Sequence, residues 1–435
     1  MRSSCVEKGD DMKSSHVVGV LALAIAIAVA AVAATAQATS GATATTAGQS
    51  NAVTDWNLIA QNAIVVGRPP GSSLVLEGIV QAAIYDATVA IEGGYEPFVA
   101  SPSVSRPAST AAAVAAAARG VLVVRVPGQA ASVDAQYAAY LAPIPDGPAK
   151  TNGIAVGEQV AQAILAWRTG DGFDNVVPWV QPPLGPGVFE PFPSGTTPVD
   201  VKLKQVRPLT LTSSDQFRPD GPNLLTSAEY AADFNEVKAY GRADSAVRTP
   251  EQTEVARFWA ENTAIQWPRT QRALAVEKGL SLAETARILA LAQVAAADAL
   301  LACFDAKYHY LFWRPVHAIQ RADTDGNPAT EPDPSWTPLL VVNHPEYPGA
   351  HGCVTTAIAE TLAAFFGSDK VAFSMGSTIT GTTRYYERFR DAAKEVYDAR
   401  TWAGLHFRNS TMEGAWMGRN VARHVVANFF RPAGA

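Results

Sequence analysis

Lys307 and Arg314 stand seven residues apart in the stretch KYHYLFWRP, which closes at Pro315. Further along come YPGAH, ending at His351, and ARTWAGLHF, which carries Arg400 and His406. Three fixed cations and two imidazoles in the last third of the chain have the makings of a socket for a tetrahedral or trigonal-bipyramidal oxyanion. Guanidinium forks and an ammonium hold such oxygens through short, charge-assisted hydrogen bonds. One imidazole can attack or ligate the central atom while a second passes protons.

Each segment also has a plainer reading. On one helix, residues seven apart return to nearly the same face, roughly 10.5 Å apart along the axis. A helix reaching Trp313 would lean Lys307 and Arg314 toward one anion, with Pro315 ending or kinking it; alternatively the pair is a solvated face. The neighbours Tyr308, Tyr310, Leu311, Phe312 and Trp313 favour burial, and a buried cation needs a partner. Gly349, Ala350 and His351 open a helix whose first N–H groups lack internal partners and whose dipole favours negative charge. His351 there is an acid–base candidate, or else a capping or core histidine. Arg400 closes a helix and His406 follows Gly404 on the turn into the next; the alternative is an arginine–carboxylate pair and an unrelated histidine.

The elements that must position these groups are helical. Apolar residues recur at helical spacing over residues 73–92, 110–126, 130–141 and 154–168, with glycines as stops. Helices follow at residues 227–240, from Thr249 with Pro250 at the first position, and from the capping box Ser281–Glu284 onward. Further helices cover residues 352–366, 383–403 and 410–430. Alternating strand patterns are scarce, so the class is all-α, with helices in packed bundles. Residues 55–170 make an N-terminal helical half and residues 226–435 a C-terminal half. Between them, residues 171–225 are crowded with proline and glycine and read as a long irregular connection. Its aromatics Trp179, Phe189, Phe192 and Phe217 suggest that it packs on the helices and rims a pocket.

A net charge of −6 over 435 residues argues against a general nucleic-acid binder. Three cysteines are too few for a disulfide framework; Cys303 and Cys353 read as buried thiols, with a single bridge as the alternative. Residues 1–38 read as a signal peptide, with basic Arg2, Lys8 and Lys13, an apolar run and small residues at Ala34, Ala36 and Ala38. That implies secretion, or a membrane anchor if the segment is retained. Residues 39–54 read as a disordered spacer, and no second membrane span is expected downstream.

The three segments resemble the phosphatidic acid phosphatase type 2 / vanadium-dependent haloperoxidase superfamily, on its soluble, haloperoxidase-like side. Its signature is Lys-x6-Arg-Pro, Pro-Ser-Gly-His, then Ser-Arg-x5-His-x3-Asp. Lys307, Arg314 and Pro315 match the first; Pro348 and His351 match the second, with Gly349 and Ala350 in place of Ser and Gly. Arg400 and His406 match the third, with Ala399 for Ser and Ser410 for Asp. The likeness covers roughly residues 55–430 and implies two four-helix-bundle-like halves, with the oxyanion site in the second. It further implies that His406 ligates vanadate. Lys307, Arg314, Arg400 and the backbone at Gly349 and Ala350 would hold its oxygens, while His351 moves protons and His344 bears on halide preference. Gly349 removes a hydroxyl that water or Thr355 would have to replace. Ser410 cannot orient the ligand histidine as a carboxylate does, and Glu413, one turn on, is the candidate substitute.

Three functions follow. The first is a vanadate-dependent oxidation of halide by hydrogen peroxide, whose partners are peroxide and halide or a small organic substrate. The second is a phosphatase holding phosphate, with His406 as nucleophile and His351 as acid. The third is a non-catalytic oxyanion-binding remnant.

Overall fold

The computed structural model describes residues 51–434, and within them thirteen α-helices and one two-stranded sheet. The signal peptide and residues 39–50 of the spacer lie outside the described residues. The chain begins with α1 (Ala52–Ile64), α2 (Pro70–Glu92), α3 (Thr110–Arg125), α4 (Ala130–Leu141) and α5 (Pro148–Trp167). After the connection come α6 (Ala228–Tyr240), α7 (Pro250–Phe258), α8 (Thr263–Glu277), α9 (Leu282–Tyr310) and α10 (Pro315–Gln320). The last part holds α11 (Ala350–Phe366), β1 (Phe373–Gly376), β2 (Thr383–Tyr386), α12 (Phe389–Trp402) and α13 (Arg408–Asn428).

Helix starts follow the sequence closely where a side chain can cap. Ser281 and Glu284 form the reciprocal box that opens α9, and Thr249 with Gln252 opens α7. Three expectations are overturned. Asn51 and Thr54 form a further capping box, so α1 starts inside the stretch read as spacer. Helix α8 was missed because Pro268 lies within it. Residues 383–386 are not helical: they pair antiparallel with residues 373–376, Phe373 opposite Tyr386 and Gly376 opposite Thr383. Thr and Tyr suit a pleated, half-buried edge better than a helix.

Helix α9 is the axis of the molecule. It packs against α2, α11, α13 and α8, and nearly every residue from Thr285 to Tyr308 is buried. A helix apolar on all sides belongs in a protein interior or a bilayer. Both α2 and α9 are long and apolar enough to cross a membrane, yet 94% of each apolar window is buried inside the protein. The two helical groups share one core that runs from Ala52 to Phe430, with α2 laid directly on α9.

The connection contains a single 3-10 turn, Val201–Gln205. The buried carboxylate of Asp298, on α9, pins it by accepting from the backbone N–H of Leu209 (2.6 Å) and Thr210 (2.7 Å). Trp179 meets Phe189 and Tyr308 edge-on, and Phe192 meets His317. Cys303 and Cys353 are both free and buried.

Helices α11 and α13 approach until their backbones touch, and this contact sets the distance between the segments carrying His351 and His406. A Cβ at Gly418 would lie 2.1 Å from the Cys353 carbonyl oxygen, and one at Gly414 would lie 2.4 Å from that of Gly349. Neither obstacle is a flexible side chain. Gly418→Ala is therefore expected to cost about 1–3 kcal/mol of stability, the usual cost of overpacking, read as a lower denaturant midpoint at unchanged slope.

Candidate functional site

Lys307 lies in the last turn of α9, but Arg314 does not share that helix. Leu311, at φ 49°, adopts a left-handed conformation that ends α9 at Tyr310. The chain then runs extended to Arg314, which caps α10, with Pro315 at the first helical position. Pro315 thus opens the next helix instead of ending the previous one. The two cations come together because the chain turns back, not because of helical periodicity.

Both donate mainly to backbone oxygens. The Lys307 ammonium donates to the carbonyls of Pro345 (2.9 Å), Glu346 (2.8 Å) and Pro348 (2.5 Å). The Arg314 guanidinium donates to the carbonyls of His344 (2.7 Å), Leu405 (2.8 Å) and Pro345 (3.3 Å). Arg400 occupies the last turn of α12, on the apolar face that also buries Val396 and Ala399. Gly404, at φ +74°, then turns the chain so that His406 follows two residues later. Arg400 donates to the Trp259 carbonyl at 3.1 Å, while its Nε has no partner. Among the described residues none of the three cations pairs with a carboxylate, although all are at most 3% exposed.

A cavity of about 360 Å³ opens beside them. Ala350, His351, Arg400, His406 and His344 line it, with Leu300 and Phe304 from α9, Leu74 from α2, and Val199 and Asp200 from the connection. Lys307, Arg314, Gly349 and Glu413 are not on its wall. Gly349 donates its N–H to the Ser410 carbonyl at 2.7 Å, so the backbone donors left at this helix start begin with Ala350. A side chain at 349 would press on Thr411, whose Cα and Cγ2 both lie 3.1 Å from the Cβ position. That crowding accounts for glycine where the superfamily signature has serine. Thr355 does not replace the missing hydroxyl; it accepts instead from the Trp267 indole at 3.4 Å.

The largest correction concerns the partner of His406. Glu413 makes no hydrogen bond with it and lies toward Asp220, whose charge adds to burial in raising the Glu413 carboxyl. The partner is Glu346, fully buried, whose Oε1 lies 2.8 Å from His406 Nδ1 and 3.0 Å from the Phe407 N–H. Its Oε2 accepts from the Ser410 hydroxyl at 2.6 Å. No local pattern in the sequence links it to His406.

Arginine has no acceptor, so its contacts fix imidazole tautomers. Arg314 Nη1 lies 3.4 Å from His406 Nε2, and Nη2 lies 2.8 Å from His344 Nδ1. His406 Nε2 therefore carries a lone pair, whereas His344 Nδ1 lies between Arg314 and the Pro345 carbonyl oxygen, 3.2 Å away, and the two contacts call for opposite tautomers. Burial, then the surrounding cations, holds His344, His351 and His406 well below the ordinary imidazole value. Burial likewise lowers Lys307 to about 8, Arg314 to about 10 and Arg400 to about 9. It raises Glu346 to about 7, against the pull of Arg314. His351 makes one side-chain contact, 3.5 Å from Nε2 to the Thr263 hydroxyl.

Residues 287–433 match a family model described as the VCPO second helical-bundle domain. Vanadium chloroperoxidase of Curvularia inaequalis is 28% identical over an alignment 189 positions long, taking in 36% of this chain and 30% of that protein. The chain thus spans under a third of that relative's length. A bacterial vanadium-dependent iodoperoxidase superposes with a TM-score of 0.73 at 24% identity, covering 87% of this chain and 96% of its own. A bacterial vanadium-dependent chloroperoxidase in its holo form gives 0.65 at 15% identity, covering 88% and 94%. At these identities the superpositions speak for the fold: helical bundles arranged as in those proteins.

An unpaired buried charge costs free energy that a bound anion would return. Arg400→Met is expected to stabilise the anion-free protein by about 1 kcal/mol or more. It should also abolish the stabilisation that orthophosphate or orthovanadate gives the wild type. Denaturant titrations with and without anion measure both effects.

Proposed function

We propose that this chain, whose residues 287–433 belong to the second helical-bundle family of the vanadium haloperoxidases, oxidises halide with hydrogen peroxide at a vanadate held by His406. One observation carries the reading. Three buried cations without carboxylate partners converge on a histidine whose Nε2 keeps its lone pair. Such a site holds three cations against the single carboxylate of Glu346 and offers a ligand atom beside them.

The donor set suits vanadate. His406 offers Nε2, Arg400 has guanidinium donors to spare, and Ala350 opens a helix whose dipole favours negative charge. Lys307 and Arg314 add charge while holding the backbone of residues 344–348. Bound vanadate supplies a Lewis acid that polarises peroxide toward attack by halide. The net change is halide, hydrogen peroxide and a proton giving hypohalous acid and water. His351, neutral and on the cavity wall, holds and returns the proton that this balance requires. His344 lies on the same cavity wall and faces the space for the halide.

Two measurements test the reading. With orthovanadate, peroxide and bromide or iodide, halogenation of a phenol-type dye is expected, and His406→Ala should reduce it to background. Hydrolysis of p-nitrophenyl phosphate without vanadate would instead identify a phosphatase, and silence in both assays with orthovanadate still protecting against heat would identify a binding remnant. The second measurement concerns protons. Burial, then Arg400 and Lys307, holds His351 well below its ordinary value; a bound oxyanion offsets the share due to the cations, so its pKa rises on binding and a proton is taken up. The binding enthalpy should therefore vary with the ionisation enthalpy of the buffer, in the direction of uptake.

A further inference from the structure

We propose that Glu346 is the positioning residue of His406, and that it supplies from the segment before Pro348 the carboxylate that the superfamily signature places at the position of Ser410. The inference rests on the functional reading above for its consequence, though not for its geometry. Four buried groups meet: the His406 imidazole, the Phe407 N–H, the Ser410 hydroxyl and the Glu346 carboxylate. The carboxylate takes three hydrogen bonds, one from each of the others. Arg314 faces the opposite edge of the imidazole and can only donate. Two independent contacts therefore demand the same tautomer, with the proton on Nδ1 toward Glu346 and the lone pair on Nε2.

The residue at 410 follows from this. An aspartate there would bring a second carboxylate against Glu346 in a site without solvent, and like charges so placed oppose each other. A hydroxyl donates to the carboxylate instead. Glu346 and a carboxylate at 410 are thus alternatives, and Ser410 is the complement of Glu346, not a sign of decay. Lys307 and Arg314 make the arrangement rigid. Between them they bind the carbonyls of His344, Pro345, Glu346 and Pro348, on both sides of the Glu346 side chain. A ligating histidine backed by a carboxylate is both oriented and made a stronger donor at its far nitrogen.

The test uses the full chain and two readouts: imidazole 15N shifts of His406 in the anion-free protein, and orthovanadate affinity by calorimetry. Wild type is expected to show a single tautomer protonated at Nδ1. Glu346→Gln should mix the tautomers and weaken vanadate binding by about 10–100-fold. Ser410→Asp alone should also weaken binding, whereas E346Q/S410D should regain most of the affinity and the single tautomer, because the carboxylate is restored from the other side. A merely structural role for Glu346 would not be rescued in this way. An E346Q protein that keeps both the tautomer and the affinity within twofold overturns the proposal. If E346Q does not fold, Ser410→Ala takes its place: it should weaken binding severalfold, and no change in either readout likewise overturns the proposal. If wild type neither binds vanadate nor oxidises halide, the functional reading falls, and the 15N shifts still decide the role of Glu346.

Discussion

Burying three cations near one another without a carboxylate for each is the constraint that organises this protein. Each such group costs several kcal/mol to take out of water unless dipoles or counter-charges replace the lost hydration. Here the replacement is peptide carbonyls. Lys307 takes three, Arg314 takes three and Arg400 takes one. Carbonyl dipoles satisfy the donors without cancelling the charge, so the interior stays positive. Burial first, and that positive charge second, holds the three histidines below their ordinary value.

The same carbonyl contacts give shape to a segment with no regular structure of its own. Residues 338–349 are neither helix nor strand, yet they carry His344 and Glu346 and lead into α11. Their course is dictated by the two cations that grip them. Lys307 and Arg314 therefore serve as anchors for the wall as well as sources of charge, while Arg400 and the start of α11 face the cavity directly. On the far side, the backbone contact of α11 with α13 holds Gly349 against Ser410 and Thr411.

The all-α class, most helix starts and the cluster of Lys307, Arg314, His351, Arg400 and His406 were legible because each rests on local chemistry: capping residues, apolar periodicity and short motifs. What was not legible depended on tertiary context. Leu311 adopts a left-handed conformation that a leucine does not advertise, so α9 was carried three residues too far and Arg314 was put on the wrong element. The strand at residues 383–386 was absorbed into a helix, and its partner at residues 373–376 was not seen, because each spans only four residues. Glu346 was overlooked in favour of Glu413 because it lies sixty residues before His406, and only the fold brings the two together. Val199 and Asp200 did reach the pocket rim, in keeping with the aromatic anchors read in the connection.

The position of α9 separates ancestry from autonomy. The family match begins at residue 287, within α9. The opposite flank of that helix is covered by α2, so closely that a Cβ on Gly78 would lie 3.0 Å from that of Ala297. A fragment cut at the limits of the match would bare a long apolar stripe to water and lose the turn that Asp298 secures. The unit that the family match delimits is thus smaller than the unit that buries its own apolar surface, and α2 completes the cover of the half that carries the cavity.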